Sequence, residues 1–387
     1  MEKADIVREI GGILVDAVQS GEAAGISVLA LHEGREVFFA AAGEADREKG
    51  IALRRDHIFR LFSQTKPITS AAVMTLVEKG KLDVMDPVKR FFPSFVHQKV
   101  VCGGGFVPPR RDMTVMDLLG MQSGLPYPDA DVAGQAMARL FEENTARMDA
   151  GHGMSTAEFV SRMGQCPLAF HPGEDFRYGT SADVLGGIVE VVSGVSFGEY
   201  LHKTFFEPLE MKDTAFYVPK EKQDRLVTCY QRTEEGLKPY TTHHLCISDT
   251  TLPPAFASGG AGLVSTLDDY AAFAGMLLAG GTYGGKRILH PKTVQWMQKS
   301  QVADTRWDSL TGYGYGKLMR ICTDPGKTQG LSEKGEYGWD GWLGTYFANF
   351  PASGHTLLLF QNTKDTGTGR AARCVRNRLL SAWEEEL

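Results

Sequence analysis

The sequence predicts an α/β protein of the α+β kind, with one antiparallel sheet and an inserted, mainly helical lobe. Candidate strands occur towards both ends of the 387-residue chain, whereas the middle alternates helical stretches with Gly- and Pro-rich loops. One sheet that combines strands from both ends, covered by terminal helices, is the simplest arrangement. We therefore expect a discontinuous sheet domain (1–82 and 255–387), a helical lobe (83–254) and a cleft between them.

The first elements are predicted from apolar spacing and turn residues. Residues 1–18 have the spacing of an amphipathic helix, and two β-rich runs within 25–46 flank a tight turn at 32–34. Residues 71–82 again show helical spacing, and Gly80 suits the residue that ends the helix.

The rest of the chain alternates in the same way. Helices are predicted in the middle at TVMDLLGM (114–121), VAGQAMARLFEENTARM (132–148) and TAEFVSRM (156–163). A further helix is predicted within 259–281, and the last within 370–387. Candidate strands between these two helices are YGYGKLMRI (313–321), EYGWDGWLGTYFANF (336–350) and HTLLLFQN (355–362).

Composition narrows the function classes. The net charge of -6 argues against a nucleic-acid surface, and no apolar run approaches the length of a membrane span. The N-terminus lacks the pattern of a signal peptide, so we expect a cytoplasmic protein that binds neither nucleic acid nor membrane. The six cysteines form no C-x-x-C pair, which predicts free thiols, and neither a metal nor a cofactor is expected.

Chemistry is suggested by RLFSQTKPIT (60–69), in which Ser63 precedes Lys66 by three residues. On a helix the two side chains share a face, and Pro67 suits the first turn. A serine hydroxyl becomes nucleophilic when a neighbour takes its proton, and a lysine can do so when burial keeps it neutral. The alternative is an N-cap serine beside a solvated lysine. The local sequence leaves both interpretations open.

A second serine competes for the role of nucleophile. Ser196 lies in GVSFG (194–198), which matches the G-x-S-x-G elbow of other hydrolases. That elbow requires a preceding strand, but residues 181–194 have helical periodicity. Ser196 followed by Glu199 instead predicts a capping box, so we interpret this serine as structural.

Three motifs together resemble the serine β-lactamase and penicillin-binding-protein superfamily, especially its carboxylesterase and transesterase members. Ser63–Lys66 matches the S-x-x-K motif, Tyr178–Thr180 stands in place of Y-x-N, and Trp339–Gly341 stands in place of K-T-G or H-x-G. Supporting stretches are TVMDLLGMQSGLPY (114–127) and ASGGAGLVSTLDDYAAF (257–273). Their order and spacing favour Ser63 as the nucleophile over the N-cap interpretation.

The resemblance implies a role for each matching residue. Ser63 would form an acyl-enzyme, with Lys66 and Tyr178 moving the proton; which of the two is the base stays open. The oxyanion would lie between the backbone N–H groups of Ser63 and Trp342. Substrate-binding residues would be Trp339, Asp340, Gly341, Tyr127 and Thr180.

Departures from the family motifs bear on the substrate, which we expect to be a small-molecule ester. Thr180 replaces the asparagine that helps to hold a substrate amide, and Trp339 replaces a cation that binds a substrate carboxylate. Asp340 would repel a carboxylate and Trp339 offers apolar contact, so the two residues together predict a preference for neutral esters. Two alternatives stay open: a D-amino-acid amidase, peptidase or weak β-lactamase of the same superfamily, and a non-catalytic sensor on the same scaffold. The oligomeric state is not predicted.

Overall fold

The structure, a computed structural model, describes residues 3–382 except 242, 249 and 304. Its helices in this part of the chain are α1 (Lys3–Gln19), α2 (Lys66–Glu78), α3 (Val115–Leu119), α4 (Val132–Asp149), α5 (Thr156–Met163), α6 (Ser181–Ser193), α7 (Phe197–Leu201), α8 (Leu267–Leu278), α9 (Pro291–Met297) and α10 (Arg370–Leu380). No single helix in the described ranges is long and apolar enough to cross a membrane.

The strands fall into one large sheet and several two-stranded ribbons. They are β1 (Gly25–His32), β2 (Arg35–Asp46), β3 (Ile51–Ala52), β4 (Phe59–Arg60), β5 (Val100–Cys102), β6 (Gly105–Val107), β7 (Tyr230–Thr233), β8 (Gly236–Pro239), β9 (Val264–Ser265), β10 (Thr282–Tyr283), β11 (Lys286–Arg287), β12 (Tyr313–Gly316), β13 (Met319–Cys322), β14 (Tyr337–Asp340), β15 (Tyr346–Phe350) and β16 (His355–Gln361).

The large sheet has eight strands in the order β12-β13-β14-β15-β16-β1-β2-β3, and every neighbouring pair is antiparallel. The first and last thirds of the chain meet where β1 pairs with β16, from Ile26 opposite Gln361 to His32 opposite His355. The predicted fold class is therefore confirmed.

Both faces of the sheet are covered, and this accounts for the continuous apolar character of its central strands. All seven residues of β16 are buried, as are the first seven of β1. Helices α1 and α10 pack against one face through Ile10, Leu14 and Val375. Helices α2 and α8 cover the other face, in an apolar cluster that continues into α3–α6. The domain division at residues 83 and 254 stays a prediction.

Two predicted strands are wrong in detail, because residues 336–350 form two antiparallel strands, β14 and β15, and residues 313–321 likewise divide. Residues 313–321 form a hairpin, because Lys317 and Leu318 take left-handed φ angles of 51° and 62° between β12 and β13. Such turns favour Gly or Asn, which are absent here. Leu318 is instead held by tertiary contacts: its side chain is fully buried and its N–H bonds to the carbonyl of Leu119.

Candidate active site

Ser63 lies on a short 3₁₀ turn, Phe62–Thr65, that leads directly into α2. Lys66 is the first residue of α2 and Pro67 follows it, as the sequence predicted. Phe62 adopts a φ of 44°, a strained angle for a residue with a side chain. Its buried ring packs edge-on to Trp342, with 5.2 Å between the ring centroids. This packing holds the turn that presents Ser63.

The structure brings Ser63 and Lys66 together. Lys66 Nζ donates to Ser63 Oγ at 3.1 Å, to the Tyr127 hydroxyl at 3.0 Å and to the Gly260 carbonyl at 2.8 Å. The lysine is fully buried, and this desolvation lowers its pKa to about 7, against a smaller opposing effect of Asp183 and Asp340. At neutral pH a large fraction of Lys66 is therefore uncharged and able to accept a proton from Ser63.

Two tyrosine hydroxyls also reach Ser63. Burial raises the pKa of both Tyr127 and Tyr178 well above the usual value, and a hydrogen bond with Ser63 opposes the rise in each. The two rings pack edge to face, with 5.6 Å between centroids. Lys66 Nζ lies 4.6 Å from the ring centroid of Tyr178, but it is Tyr127 that accepts its hydrogen bond.

Tyr127 was predicted from the sequence only as a residue in the wall of a substrate pocket. It ends the stretch SGLPY (123–127), and this motif was the available signal. In the structure the phenol oxygen accepts a hydrogen bond from Lys66, so Tyr127 lies in the same cluster of polar groups as Ser63, Lys66 and Tyr178.

Trp339 has a polar contact that its apolar character did not suggest. Its indole Nε1–H donates to the Tyr178 hydroxyl at 2.9 Å, while the residue itself is 3% exposed. This hydrogen bond opposes the effect of burial on the pKa of Tyr178. A tryptophan at the third motif therefore supplies an uncharged donor to the tyrosine that faces Ser63.

The end of β14 lies against the backbone just before Ser63. A Cβ placed on Gly341 would fall 2.2 Å from the carbonyl oxygen of Leu61 and 2.2 Å from Thr345 Oγ1, so only glycine fits. Thr345 Oγ1 also donates to the Leu61 carbonyl at 3.2 Å. These contacts bring Trp342 next to the Ser63 turn. Among the described residues, no acceptor is found for the backbone N–H of Ser63 or Trp342, as an oxyanion hole requires.

Asp183 is linked to Lys66 through the peptide of Gly260, and the sequence analysis did not identify it. Its buried carboxylate accepts hydrogen bonds from Ser258 Oγ at 2.6 Å and from the Gly260 N–H at 3.0 Å. The carbonyl of the same Gly260 receives the hydrogen bond from Lys66. Burial raises the pKa of Asp183, while these donors and the charge of Lys66 oppose that rise. No local motif marks an aspartate that acts through a distant glycine peptide.

Ser63 lies in the walls of two cavities. The smaller, of about 380 Å³, is also lined by Trp339, Asp340 and Gly341 and by the partly exposed Trp307. The larger, of about 690 Å³, extends along α4 and is also lined by a loop whose His244 stacks on Trp342, with 3.8 Å between the ring centroids. A substrate with two different halves can therefore place its reacting bond at Ser63.

Two sequence-predicted residues lie away from these cavities. Thr180 is fully buried at the start of α6, and its hydroxyl has no partner in the described part of the chain, so the structure does not bring it to the substrate. Ser196 caps α7 by accepting a hydrogen bond from the Glu199 N–H at 3.2 Å. Among the described residues, no lysine or tyrosine side chain makes a hydrogen bond with Ser196 like those made with Ser63.

Comparison with known proteins identifies the family to which the chain belongs. The chain matches the Beta-lactamase family over residues 10–380. It is 32% identical to an uncharacterized protein of Mycobacterium tuberculosis over 358 residues, covering 88% of this chain and 86% of that protein. It is 27% identical to esterase EstB of Burkholderia gladioli over 380 residues, covering 95% and 93%.

A solved structure of a related protein shows the same fold. The chain superposes on EstCE1, a hydrolase with promiscuous acyltransferase activity, with a TM-score of 0.83 and 25% identity, covering 97% of this chain and 99% of that one. The resemblance inferred from the three motifs is thereby confirmed. This protein belongs to the beta-lactamase family, within the superfamily of serine hydrolases that includes esterases and acyltransferases.

Proposed function

We propose that the protein is a carboxylesterase or acyltransferase that forms an acyl-enzyme on Ser63 and acts on small-molecule esters. The observation that carries this proposal is the contact of Ser63 Oγ with Lys66 Nζ, 3.1 Å apart, where burial lowers the lysine pKa to about 7. Similarity to esterase EstB and to EstCE1 supports the same reaction class. We retain the cytoplasmic location as a prediction.

In the first step, Ser63 Oγ attacks the ester carbonyl carbon while its proton passes to neutral Lys66. Tyr127 and Tyr178 lie close enough to Ser63 and Lys66 to share that proton. The oxyanion would be bound by the backbone N–H groups of Ser63 and Trp342. The tetrahedral intermediate then collapses, and the alcohol leaves with a proton delivered by Tyr178.

In the second step, water or another alcohol attacks the acyl group on Ser63. The attacking hydroxyl gives its proton to the Tyr178 oxygen, which lost its own proton in the first step. Lys66 returns its proton to Ser63 Oγ as the acid or the new ester leaves. Which acceptor is used depends on what fills the cavity vacated by the first alcohol. Both cavities border Ser63, so the geometry suits an acceptor alcohol as well as water.

The test is a panel of short- and long-chain p-nitrophenyl esters, with and without an added alcohol, measured for wild type and Ser63→Ala. We expect ester turnover that depends on Ser63, with a share of the acyl group appearing as a new ester when alcohol is present. A D-alanyl amide and a chromogenic β-lactam serve as competing substrates. Faster turnover of either one than of every ester would overturn the esterase assignment.

A further inference from the structure

The indole ring of Trp342 is held at its edge by a residue that follows β16. Its Nε1–H donates to Asp365 Oδ1 at 2.6 Å, and the Trp342 backbone carbonyl accepts a hydrogen bond from the Asp365 N–H at 3.0 Å. Trp342 directly follows Gly341, and its own backbone N–H is one of the two that we assign to the oxyanion. The contacts that hold this residue therefore bear on the oxyanion site.

The face of the same indole is covered by His244. The two rings stack with 3.8 Å between their centroids and 16° between their planes. The imidazole also packs against Phe62, which precedes Ser63, with 5.8 Å between centroids. Phe62 and Trp342 pack edge-on to each other at 5.2 Å. One side chain therefore packs against an aromatic residue at each of the two proposed oxyanion donors.

The loop that carries His244 is fixed by its own fold. The backbones of His244 and Ile247 exchange two hydrogen bonds, of 2.9 and 3.4 Å. Leu245 and Cys246, between them, take left-handed φ angles of 53° and 59°, which persist only where surrounding contacts enforce them. Cys246 and Ile247 are 5% and 7% exposed and supply those contacts. This turn holds the imidazole on the face of the indole.

The imidazole is uncharged at the pH at which Lys66 titrates. Burial and, to a smaller extent, the charge of Lys364 lower the pKa of His244 to about 4, against an opposing effect of Asp365. Glu142 and Asp149, on α4, are the carboxylates that line the same cavity. His244 is therefore a flat, neutral ring between pH 5 and 8, on the usual scale of histidine titration.

We propose that His244 is a positioning residue for acyl transfer: its ring, stacked on Trp342 and packed against Phe62, holds the two backbone N–H groups that bind the oxyanion. The inference rests on the proposed function, because the oxyanion forms only when Ser63 attacks a carbonyl. Such donors accelerate a reaction when they are fixed before the charge develops. Loss of the stack should therefore lower kcat and leave KM little changed.

The first test measures kcat and KM for p-nitrophenyl acetate. His244→Ala should lower kcat by about five- to tenfold, the scale of one aromatic pair. His244→Phe keeps a ring on the indole and should restore most of that loss, with kcat/KM still rising through pH 7 as Lys66 loses its proton. The matched control is His32→Ala, which removes an exposed imidazole stacked on His355 at 4.4 Å and lining neither cavity beside Ser63. It should leave both constants unchanged.

A second measurement separates positioning from a general loss of folded enzyme. Trifluoroacetophenone forms a reversible tetrahedral adduct with a nucleophilic serine, whereas acetophenone serves as the matched ketone without activation. His244→Ala should weaken inhibition by trifluoroacetophenone by the same factor as kcat/KM falls, and should leave acetophenone binding unchanged. Partial unfolding would instead reduce the number of active sites without changing either inhibition constant, and that result would overturn the proposal.

The remaining outcomes are equally decisive. If His244→Phe is as slow as His244→Ala, the imidazole does more than stack, and the positioning role is overturned. Ester turnover by wild type that His244→Ala leaves unchanged would overturn the positioning role alone. Fluorophosphonate labelling of Ser63 tests the same point without an ester. Labelling that slows in His244→Ala, in a protein that hydrolyses no ester, would overturn the proposed function alone.

Discussion

The indole Nε1–H of Trp339 lies 2.9 Å from the hydroxyl oxygen of Tyr178 and donates a hydrogen bond to it. Because donation to the oxygen favours the phenolate, this contact counteracts the desolvation that raises the pKa of Tyr178. Trp339→Phe keeps an aromatic ring but removes the donor. We expect kcat to fall by about tenfold, as for the loss of one hydrogen bond to a group that becomes charged.

The measurement is kcat across pH for one good ester. The matched control is Trp296→Phe, which alters an indole that packs against Lys317 away from Ser63. Equal rates for Trp339→Phe and wild type would mean that the hydrogen bond has no role in proton transfer.

The lowered pKa of Lys66 predicts the pH dependence of the reaction. Only the neutral amine can accept the proton of Ser63, so kcat/KM should rise with pH through about 7 and reach a plateau above it. Lys66→Arg cannot lose its proton and should reduce the rate by about a hundredfold or more at every pH tested. A near-normal Arg variant would show that the cation is needed only for its charge.

Removing the hydroxyl of Tyr178 and removing that of Tyr127 should have different effects on the rate and on its pH dependence. Tyr178→Phe removes the hydroxyl that contacts Ser63 and Trp339, and we expect a loss of about a hundredfold in kcat. Tyr127→Phe removes an acceptor of the Lys66 hydrogen bond, which disfavours the charged amine and lowers the lysine pKa further. Its pH profile should therefore shift to lower pH with a smaller loss of rate. A shift to higher pH would contradict the assigned direction of that hydrogen bond.

Gly341 is predicted to be irreplaceable for a steric reason. Adding one methyl group in Gly341→Ala forces apart β14 and the backbone at Leu61, since two oxygen atoms lie 2.2 Å from the new carbon. We expect a lower Tm. We also expect the protein that remains folded to be less active, because Trp342 moves with the strand. Gly275→Ala, in α8 with open space around it, is the control and should retain activity and stability. Full activity of Gly341→Ala would exclude the close packing described here.

Much of this account could be predicted from local sequence. The S-x-x-K spacing predicted the contact of Ser63 with Lys66, and strand patterns at both ends predicted one sheet. Other features depend on residues that meet only in the folded chain. Asp183 reaches Lys66 through the peptide of Gly260, a relation that spacing does not encode. Arg320 in β13 and Arg376 in α10 likewise meet at the buried Glu336, which their separation in sequence does not indicate.

The central claim, that Ser63 is the activated nucleophile, is tested most directly by fluorophosphonate labelling followed by peptide mass spectrometry. We predict one label on the peptide that contains Ser63, at a rate that rises with pH through about 7 as Lys66 loses its proton. Ser63→Ala should stay unlabelled while keeping its fold, and Ser196→Ala should label like the wild type. A label on Ser196, or equal labelling of Ser63→Ala, would contradict the account.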